Sequence, residues 1–391
     1  MPPAACLPRV HAARQYNGSA VNLRAVELRR VCLPLVSAFR SAHGTQSNRE
    51  ALLVRVESDD GEGWGECVAG SDPLYSSEYL DAAWLTLERY LGPKLLHTPD
   101  LAATDVQPSL SEFKGHRMAK AALEMAVLDA ELRLAGISLA SFLGGVTDAV
   151  TAGVAVGIMS SVGELLDSVS EYVEAGYRRV KLKIQPGWDL VPVEAVRVRF
   201  GAELMLQVDA NSAYRRSDIG HLAQLDPFFL LLIEQPLDED DLLGHVQLAN
   251  RITTPVCLDE SIVSAQTAAT AICLGACSVV NIKAGRVGGY LEARAVHDLC
   301  VSENVPVWCG GMLETGLGRA ANLALASLPG FTLPGDISAS DRYFHEDITA
   351  PFVLDKGTIA VPTGPGLGVE VLVPVLNGLT TQLETITKAD L

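Results

Sequence analysis

Long apolar runs are missing from this sequence of 391 residues. No stretch approaches about 18 consecutive apolar residues, so we expect neither a transmembrane helix nor a membrane partner. Basic residues are also scarce, with 30 lysines and arginines against 47 aspartates and glutamates, and the formal net charge is −17. Because phosphate recognition needs a basic surface, nucleic acid is not expected as a partner either. A hydrophobic share of 48% excludes a disordered chain.

Paired cysteines are absent as well. The eight cysteines are scattered and form no Cys-x-x-Cys pair, and several stand inside apolar runs. A zinc knuckle or a disulfide framework is therefore not expected, and free thiols in a reducing cytoplasm fit better. Residues 1–20 lack the apolar segment of a secretory signal and are predicted to form an irregular tail, so we expect a cytoplasmic protein.

The region 21–145 is predicted to be an α+β domain, because strand patterns come first and helical patterns follow. Its predicted strands are Val26–Leu35, Ala51–Val56 and a third near Gly63–Cys67, and its predicted helices are Ser76–Tyr90 and His116–Leu134.

The region 146–345 repeats short apolar strands separated by segments of helical length, which is typical of parallel strands buried on both faces. Seven or eight such units favour a closed (β/α) barrel of the TIM type over an open doubly wound sheet, which is the alternative. After this region, residues 346–391 are predicted to pack back on the first domain. The predicted strands are Ala152–Ile158, Arg179–Ile184, Leu204–Asp209, Phe229–Glu234, Pro255–Asp259, Ser278–Lys283 and Pro306–Cys309.

Three successive predicted strands end in a carboxylate: Asp209, Glu234 and Asp259. Since the spacing is one β/α unit, the three side chains are expected to meet at the catalytic face of the barrel. Two like charges at ~4 Å repel by roughly 4 kcal/mol even at an effective dielectric constant of 20, so the cluster needs a cation. Oxygen ligands without His or Cys favour Mg²⁺ or Mn²⁺ over zinc.

Lysines flank this ladder on both sides. Strand alternation places Lys181 and Lys183 on one face of the strand before Asp209, and Lys283 ends the strand after Asp259. Asn211 shares the side of Asp209 and is predicted to touch substrate. Glu260, in contrast, is predicted to face away and to be structural.

This set of residues suits removal of a proton α to a carboxylate. The product of that step is an enediolate, whose two negative oxygens a divalent cation stabilises. A lysine serves as the base when burial or a neighbouring cation lowers its pKa, and Lys181 is predicted to tune Lys183 and bind the substrate carboxylate. Lys183 and Lys283 on opposite faces of the α-carbon permit racemisation, and the same pair permits β-elimination. The residue types alone leave both reactions open.

The motifs resemble the N-acylamino acid racemase / o-succinylbenzoate synthase family, in the muconate-lactonising subgroup of the enolase superfamily. The motifs that carry this resemblance are Lys181-Leu-Lys183, Val208-Asp209-Ala-Asn211, Ile233-Glu234-Gln-Pro236, Leu258-Asp259-Glu260-Ser261, Asn281-Ile-Lys283, Gly310-Gly-Met-Leu-Glu-Thr-Gly316 and Leu333-Pro-Gly-Asp-Ile-Ser-Ala-Ser340.

The resemblance implies an α+β capping domain over a modified (β/α) barrel. It also implies Mg²⁺ or Mn²⁺ at the three carboxylates, the two lysines Lys183 and Lys283 as the acid and base, and a small-molecule carboxylate as substrate. Cap loops around Phe39 and residues 66–75 are expected to close over that substrate, and similar enzymes are often octamers. Glu314 is predicted to orient Lys283 or the substrate carboxylate, the alternative being an ordinary loop carboxylate.

Departures from the family pattern bear on substrate choice. Ala155 and Gly70 stand where relatives often carry a hydroxyl residue and a bulkier residue, which leaves the size of the substrate pocket open. The segment Gly335–Ser338 lacks the Asp-x-Asp expected of a dipeptide epimerase. A dipeptide epimerase or a muconate-type cycloisomerase is therefore the alternative enzyme. A non-catalytic metal-binding scaffold is disfavoured because binding alone needs no base on each face.

Overall fold

The protein was analysed as a computed structural model, which describes residues 20–42 and 44–390. The predicted tail therefore lies, except for its last residue, outside the described part of the chain. The strands are β1 Leu23–Ser41, β2 Gly44–Ser58, β3 Glu62–Cys67, β4 Ala149–Thr151, β5 Gly153–Val156, β6 Arg179–Lys183, β7 Met205–Asp209, β8 Ile233–Glu234, β9 Val256–Leu258, β10 Val279–Ile282, β11 Val307–Cys309, β12 Thr358–Ala360 and β13 Thr380–Thr387.

Helices fill most of the segments between these strands. They are α1 Leu80–Thr86, α2 Gly92–Leu96, α3 Ala103–Ser109, α4 Arg117–Ala135, α5 Leu139–Leu143, α6 Val162–Ala175, α7 Leu190–Phe200, α8 Ile219–Leu222, α9 Leu242–Ala249, α10 Ala265–Leu274, α11 Ala284–Val287, α12 Tyr290–Ser302, α13 Gly316–Ala326 and α14 Val373–Leu379. Among the described residues, none of these helices combines the length and the apolar character that a membrane crossing requires.

The capping domain is an antiparallel sheet in the order β13-β1-β2-β3 with helices on one side. Helix α4 packs directly on β3, because Gly63 and Gly65 leave room for its backbone. A Cβ atom at either glycine would collide with backbone atoms of Ala126 or Ala122. The C-terminal strand β13 pairs with β1, which joins the end of the chain to this sheet. The domain bounds predicted from the sequence stay a prediction.

Helix α1 begins later than predicted. The prediction started it at Ser76, whereas the helix starts at Leu80. The reason is Glu78, whose carboxylate accepts hydrogen bonds from the backbone N–H groups of Arg117 (2.6 Å) and Met118 (2.8 Å). These donors belong to the first turn of α4, whose preceding residue His116 supplies no side-chain cap. Glu78 therefore stays outside α1 to cap another helix.

The second domain is built on parallel strands in the consecutive order β5 to β11, so each unit adds the next strand. Residues 331–337 occupy the remaining position between β11 and β5. Gly335 O accepts from Gly153 N (2.8 Å), and Asp336 N donates to Cys309 O (2.9 Å), so this segment bonds to both edges. The predicted (β/α) barrel with an α+β capping domain is confirmed. The eighth position is irregular, and Pro334 within it has no N–H group to donate to the hydrogen-bond ladder.

The seven cysteines of the described region are free, as the sequence predicted. Most are buried, and Cys257 lies inside the barrel against the indole of Trp308.

Candidate active site

Backbone pairing brings the predicted site residues to one level of the barrel. Lys183 on β6 is the register partner of Asp209 on β7, and Asp209 is the partner of Glu234 on β8. Asp259 follows the last residue of β9. The predicted convergence of strand-end side chains is thus built into the register of short, apolar parallel strands.

Lys181 lies at the centre of a buried ionic network. Its Nζ is 3.1 Å from Asp209 Oδ2 and 3.0 Å from Glu234 Oε2, and it also contacts Asp336 Oδ2. Burial opposes the charge of Lys181, but these carboxylates outweigh it and raise its pKa well above the usual value. Lys181 is therefore held as an ammonium ion that organises the acids around it.

Lys183 forms the first flank of the site. Its Nζ donates to Asp209 Oδ2 (2.6 Å) and to Asn211 Oδ1 (2.6 Å). Burial opposes ionisation of Asp209, yet the charges of Lys183 and Lys181 hold its pKa far below the usual value. Asn211 thus lies beside Lys183, and its predicted contact with substrate stays a prediction.

Glu260 belongs to the same network, and the prediction that it faces away from the site is wrong. Asn211 Nδ2 donates to Glu260 Oε1 (3.0 Å). Burial, followed by the neighbouring charge of Asp259, raises the pKa of Glu260 to about 8. The alternation rule failed here because β9 ends at Leu258, one residue before Asp259, so the two acids lie in a turn.

Lys283 forms the second flank. Its Nζ donates to Asp259 Oδ2 (2.8 Å) and to the hydroxyl of Tyr75 (3.0 Å). Arg286 Nη1 contacts the other oxygen of Asp259 and donates to the same tyrosine hydroxyl (3.2 Å). Burial works against ionisation of Asp259, but the charges of Arg286 and Lys283 outweigh it and hold its pKa below the usual value.

The two flanks lie on opposite sides of the barrel. Lys183 ends β6 and Lys283 follows β10, which is four strands further along the sheet. With residues 331–337 in the eighth position, four steps correspond to half of the circumference. Both lysines line the same cavity, and two opposed amines are the arrangement that proton transfer on either face of one carbon requires.

The chemistry of the three predicted ligands suits a hard divalent cation. Asp209, Glu234 and Asp259 are fully buried carboxylates on successive units. Burial, then the charge of Asp209, raises the pKa of Glu234 well above the usual value, and Asp259 contributes in the same direction. Each of the three is paired with a lysine, and within residues 20–42 and 44–390 no group of three acidic, His or Cys side chains forms a ready metal site. The residue types fit the ion, and the metal role stays a prediction.

The cavity over these residues has a volume of about 490 Å³ and lies between the two domains. The barrel contributes Lys181, Lys183, Asn211 and Lys283 to its wall, and the cap contributes Phe39. Further residues of the lining are Ala155, Gly70, Tyr75, Arg49, Met312 and Asp336.

Glu314 lies just before helix α13, and its predicted role toward Lys283 or the substrate carboxylate stays a prediction. Its carboxylate accepts a hydrogen bond from Asn322 Nδ2 (2.9 Å). Within the described part of the chain, Glu314 does not line the cavity. The chain turns away from the rim at this point because Thr315 caps helix α13. Glu314 is therefore buried and held by Asn322.

Sequence reasoning missed several residues of the site. Asn281 donates to Glu234 Oε1 (2.7 Å), and its place two residues before Lys283 in the predicted strand could have revealed it. Arg179 is buried against Asp336 (2.6 Å), and the same alternation places it on the side of Lys181. Tyr75 comes from a cap loop, and nothing in its local sequence points to the barrel.

Comparison with known proteins agrees with this architecture. Residues 24–144 match the mandelate racemase / muconate lactonizing enzyme N-terminal domain, and residues 164–374 match the family described as enolase C-terminal domain-like. An N-succinylamino acid racemase of Amycolatopsis sp is 63% identical over 361 residues, covering 92% of this chain and 98% of the relative. An o-succinylbenzoate synthase of Geobacillus kaustophilus is 45% identical over 354 residues, covering 90% and 94%.

A solved structure shows the same fold. The crystal structure of an enolase superfamily member from Listeria innocua has a TM-score of 0.90 at 39% identity, and the match covers 94% of this chain and 99% of that one. The resemblance inferred from the motifs is confirmed by these matches. The chain belongs to the N-acylamino acid racemase / o-succinylbenzoate synthase family of the enolase superfamily.

Proposed function

We propose that this protein is an enzyme that removes the proton α to a carboxylate through an enediolate intermediate. Its reaction is N-acylamino acid racemisation, o-succinylbenzoate formation by dehydration, or both. The observation that carries the proposal is the placement of Lys183 and Lys283 at opposite sides of one cavity, with buried carboxylates between them. The two relatives, an N-succinylamino acid racemase and an o-succinylbenzoate synthase, support both reactions.

A divalent cation is part of the proposal. Members of the enolase superfamily use a divalent metal, and Asp209, Glu234 and Asp259 are the residues that would hold it here. When bound, such an ion supplies positive charge that stabilises the carboxylate oxygens of the enediolate. The choice between Mg²⁺ and Mn²⁺ is left to the assay, since both are hard ions that take oxygen ligands.

The lysines carry the proton steps. In racemisation, one of Lys183 and Lys283 takes the α-proton and the other delivers a proton to the opposite face, so the charge of the substrate is the same before and after the reaction. In dehydration, Lys183 takes the α-proton while Lys283 stabilises the enolate with its positive charge. The enolate then expels the β-hydroxyl group, which takes the proton held by Lys183 and leaves as water, so that the C–O bond breaks as the C=C bond forms. Lys181, buried among three carboxylates, binds the substrate carboxylate and positions the acids.

The test is α-proton exchange in deuterated solvent. N-Succinylmethionine, N-acetylmethionine and the dehydratase substrate of o-succinylbenzoate synthase are incubated with the protein and Mg²⁺ or Mn²⁺, and exchange and product are followed by NMR. We expect exchange at the α-carbon and loss of optical rotation for at least one acylated amino acid. Absence of both exchange and product with every substrate contradicts the proposal, and turnover of a dipeptide panel or of cis,cis-muconate instead selects the alternative enzymes.

Assembly and compartment complete the proposal. We infer a cytoplasmic homo-oligomer, with the octamer as the state to test, and a small-molecule carboxylate as the substrate. Light scattering coupled to size-exclusion chromatography measures the number of subunits directly.

A further inference from the structure

Arg49 is a buried cation in the cap wall of the cavity. It lies on β2 opposite Leu33 of β1, and its side chain belongs to the cavity lining. Only 4% of its surface is exposed. An arginine in this position is removed from water, so its charge needs a partner within the protein or in the cavity.

The structure leaves most of this guanidinium unsatisfied. Nη1 donates to the backbone oxygen of Ala69 (3.1 Å). Nε and Nη2 are buried and, within the described residues, have no hydrogen-bond partner. A planar fork with two free N–H directions is the geometry that binds a carboxylate in a bidentate way.

The acids near Arg49 are committed elsewhere. Glu50 accepts from Arg30 Nη2 (3.1 Å) and from Ser71 Oγ (2.8 Å). Burial raises the pKa of Glu66 to about 7 although the nearby charge of Arg49 opposes this rise, and both carboxylate oxygens of Glu66 accept from Thr315. The other cations of the cavity wall, the three site lysines, are each bound to a carboxylate. Arg49 is thus the cavity cation whose hydrogen-bonding capacity is free for a ligand.

We propose that Arg49 binds the distal carboxylate of a dicarboxylic N-acyl group, and so selects N-succinyl over N-acetyl amino acids. This inference rests on the proposed function, which places the reacting carboxylate between Lys183 and Lys283. A succinylated amino acid carries a second carboxylate at the far end of its acyl chain. The cavity offers cationic groups to both ends of such a substrate, the three lysines in the barrel and Arg49 in the cap.

The experiment compares N-succinylmethionine with N-acetylmethionine on the wild type, R49Q and R49K. We expect R49Q to raise KM for the succinylated substrate by about 10- to 100-fold, the range for losing a charge-assisted hydrogen-bonded pair, with kcat changed less than threefold. The kcat/KM for the acetylated substrate should stay within threefold. R49K keeps the positive charge but loses the bidentate guanidinium, so its KM for the succinylated substrate should lie between those of the wild type and R49Q.

Two controls separate this role from a structural one. R55Q changes another arginine of β2, whose partners Glu27 and Glu62 belong to the cap, and should leave the succinyl preference unchanged. Calorimetric binding of both acylated amino acids in the presence of Mg²⁺ reports on Arg49 even if the protein exchanges no α-proton, so failure of the proposed function is distinguishable. If R49Q and R49K lose kcat/KM equally for both substrates, the inference is overturned, and Arg49 has a structural role beside Glu66. If R49Q does not fold, R49K decides by the same comparison.

Discussion

The hydroxyl of Thr315 donates a hydrogen bond of 2.6 Å to Glu66, so the end of strand β3 in the cap is bonded to the start of helix α13 in the barrel. Backbone N–H groups of Thr315 and Gly318 donate to the same carboxylate at 3.1 Å. A carboxylate at a helix N-terminus satisfies donors that the helix cannot satisfy itself. The cap and the barrel are therefore joined by a helix cap supplied from the other domain, at one edge of the catalytic cavity.

Removing this hydroxyl should weaken the junction between the domains. T315V loses the bond to Glu66 and the side-chain cap of α13, and we expect a loss of about 1–3 kcal/mol in the free energy of unfolding. T315S keeps the hydroxyl and should stay within about 1 kcal/mol of the wild type. Urea denaturation followed by circular dichroism measures both variants. Equal stability of T315V and the wild type would show that the junction does not depend on this bond.

A second buried carboxylate at the junction makes stability depend on pH. Glu124 on α4 accepts from the N–H of Leu291 on α12 (3.0 Å), and burial raises its pKa to about 7 from an ordinary value of 4.5. The folded protein keeps this proton up to about pH 7, whereas the unfolded chain releases it near pH 4.5. Stability therefore falls as the pH rises through this window.

Replacing Glu124 by an uncharged isostere should remove that loss. We expect E124Q to gain up to about 3 kcal/mol relative to the wild type between pH 4 and pH 8, because a shift of one pKa unit corresponds to about 1.4 kcal/mol. The measurement is the free energy of urea unfolding at both pH values. A matched change at the exposed Glu303 should move stability by less than about 0.5 kcal/mol at either pH. A difference between E124Q and the wild type that is independent of pH would contradict this account.

The opposed lysines predict reactions that depend on the enantiomer. K183A and K283A each remove the base on one face, so each variant should lose exchange of one enantiomer by about 10²–10⁴-fold and retain exchange of the other. Racemisation, which needs both lysines, should fall in both variants. Proton exchange of separate D- and L-substrates in deuterated solvent measures this. Loss of the same enantiomer in both variants would mean that the two amines share a face.

The carboxylate ladder predicts stabilisation by a divalent cation. Chelation should reduce activity to background, and Mg²⁺ at about 100 times its Kd should stabilise the folded protein by about 2.7 kcal/mol. D209N and E234Q should lose this stabilisation. D238N changes an exposed acid four residues after the end of β8 and should keep the stabilisation by Mg²⁺. Thermal unfolding with and without Mg²⁺ is the measurement, and an unchanged response in D209N and E234Q would remove these residues from the ligand set.

The sequence revealed the barrel half of the site because regular spacing encodes it. Asp209, Glu234 and Asp259 recur once per β/α unit, and strand alternation groups Lys181 with Lys183. The same rule failed at Glu260, since alternation ends where the strand ends. It also had nothing to say about Glu314, whose direction is set by the cap of the following helix.

The cavity residues that the cap contributes could not be predicted from regular spacing in the sequence. Tyr75 and Arg49 reach the cavity because a sheet of one domain lies over the rim of the other, which no local pattern encodes. The bond between Tyr75 and Lys283, for example, joins residues 208 positions apart. Domain packing, rather than periodicity, therefore supplies this part of the cavity.

Contact between the cap and the barrel also depends on one glycine. Ile158 N donates to Arg40 O (2.9 Å), so the β1–β2 hairpin that carries Phe39 rests on the chain after β5. A Cβ atom on Gly157 would lie 2.8 Å from Arg40 O and 3.0 Å from Arg40 N. These are backbone atoms, which cannot rotate away from a new side chain. A side chain at Gly157 would therefore displace the hairpin from the chain segment after β5.

G157A should therefore impair substrate binding without unfolding the barrel. We expect kcat/KM to fall by about tenfold or more, because a displacement of about 1 Å in a substrate-positioning element can cost up to 10²-fold. G163A is the matched control, since the nearest atom to a new Cβ there is the side-chain oxygen of Ser161 at 3.8 Å, an ordinary contact. It should keep full activity. Steady-state kinetics with N-succinylmethionine, paired with thermal unfolding of both variants, separates the two effects. If G157A binds substrate as the wild type does, the hairpin does not need its close contact with Gly157 to form the cavity wall.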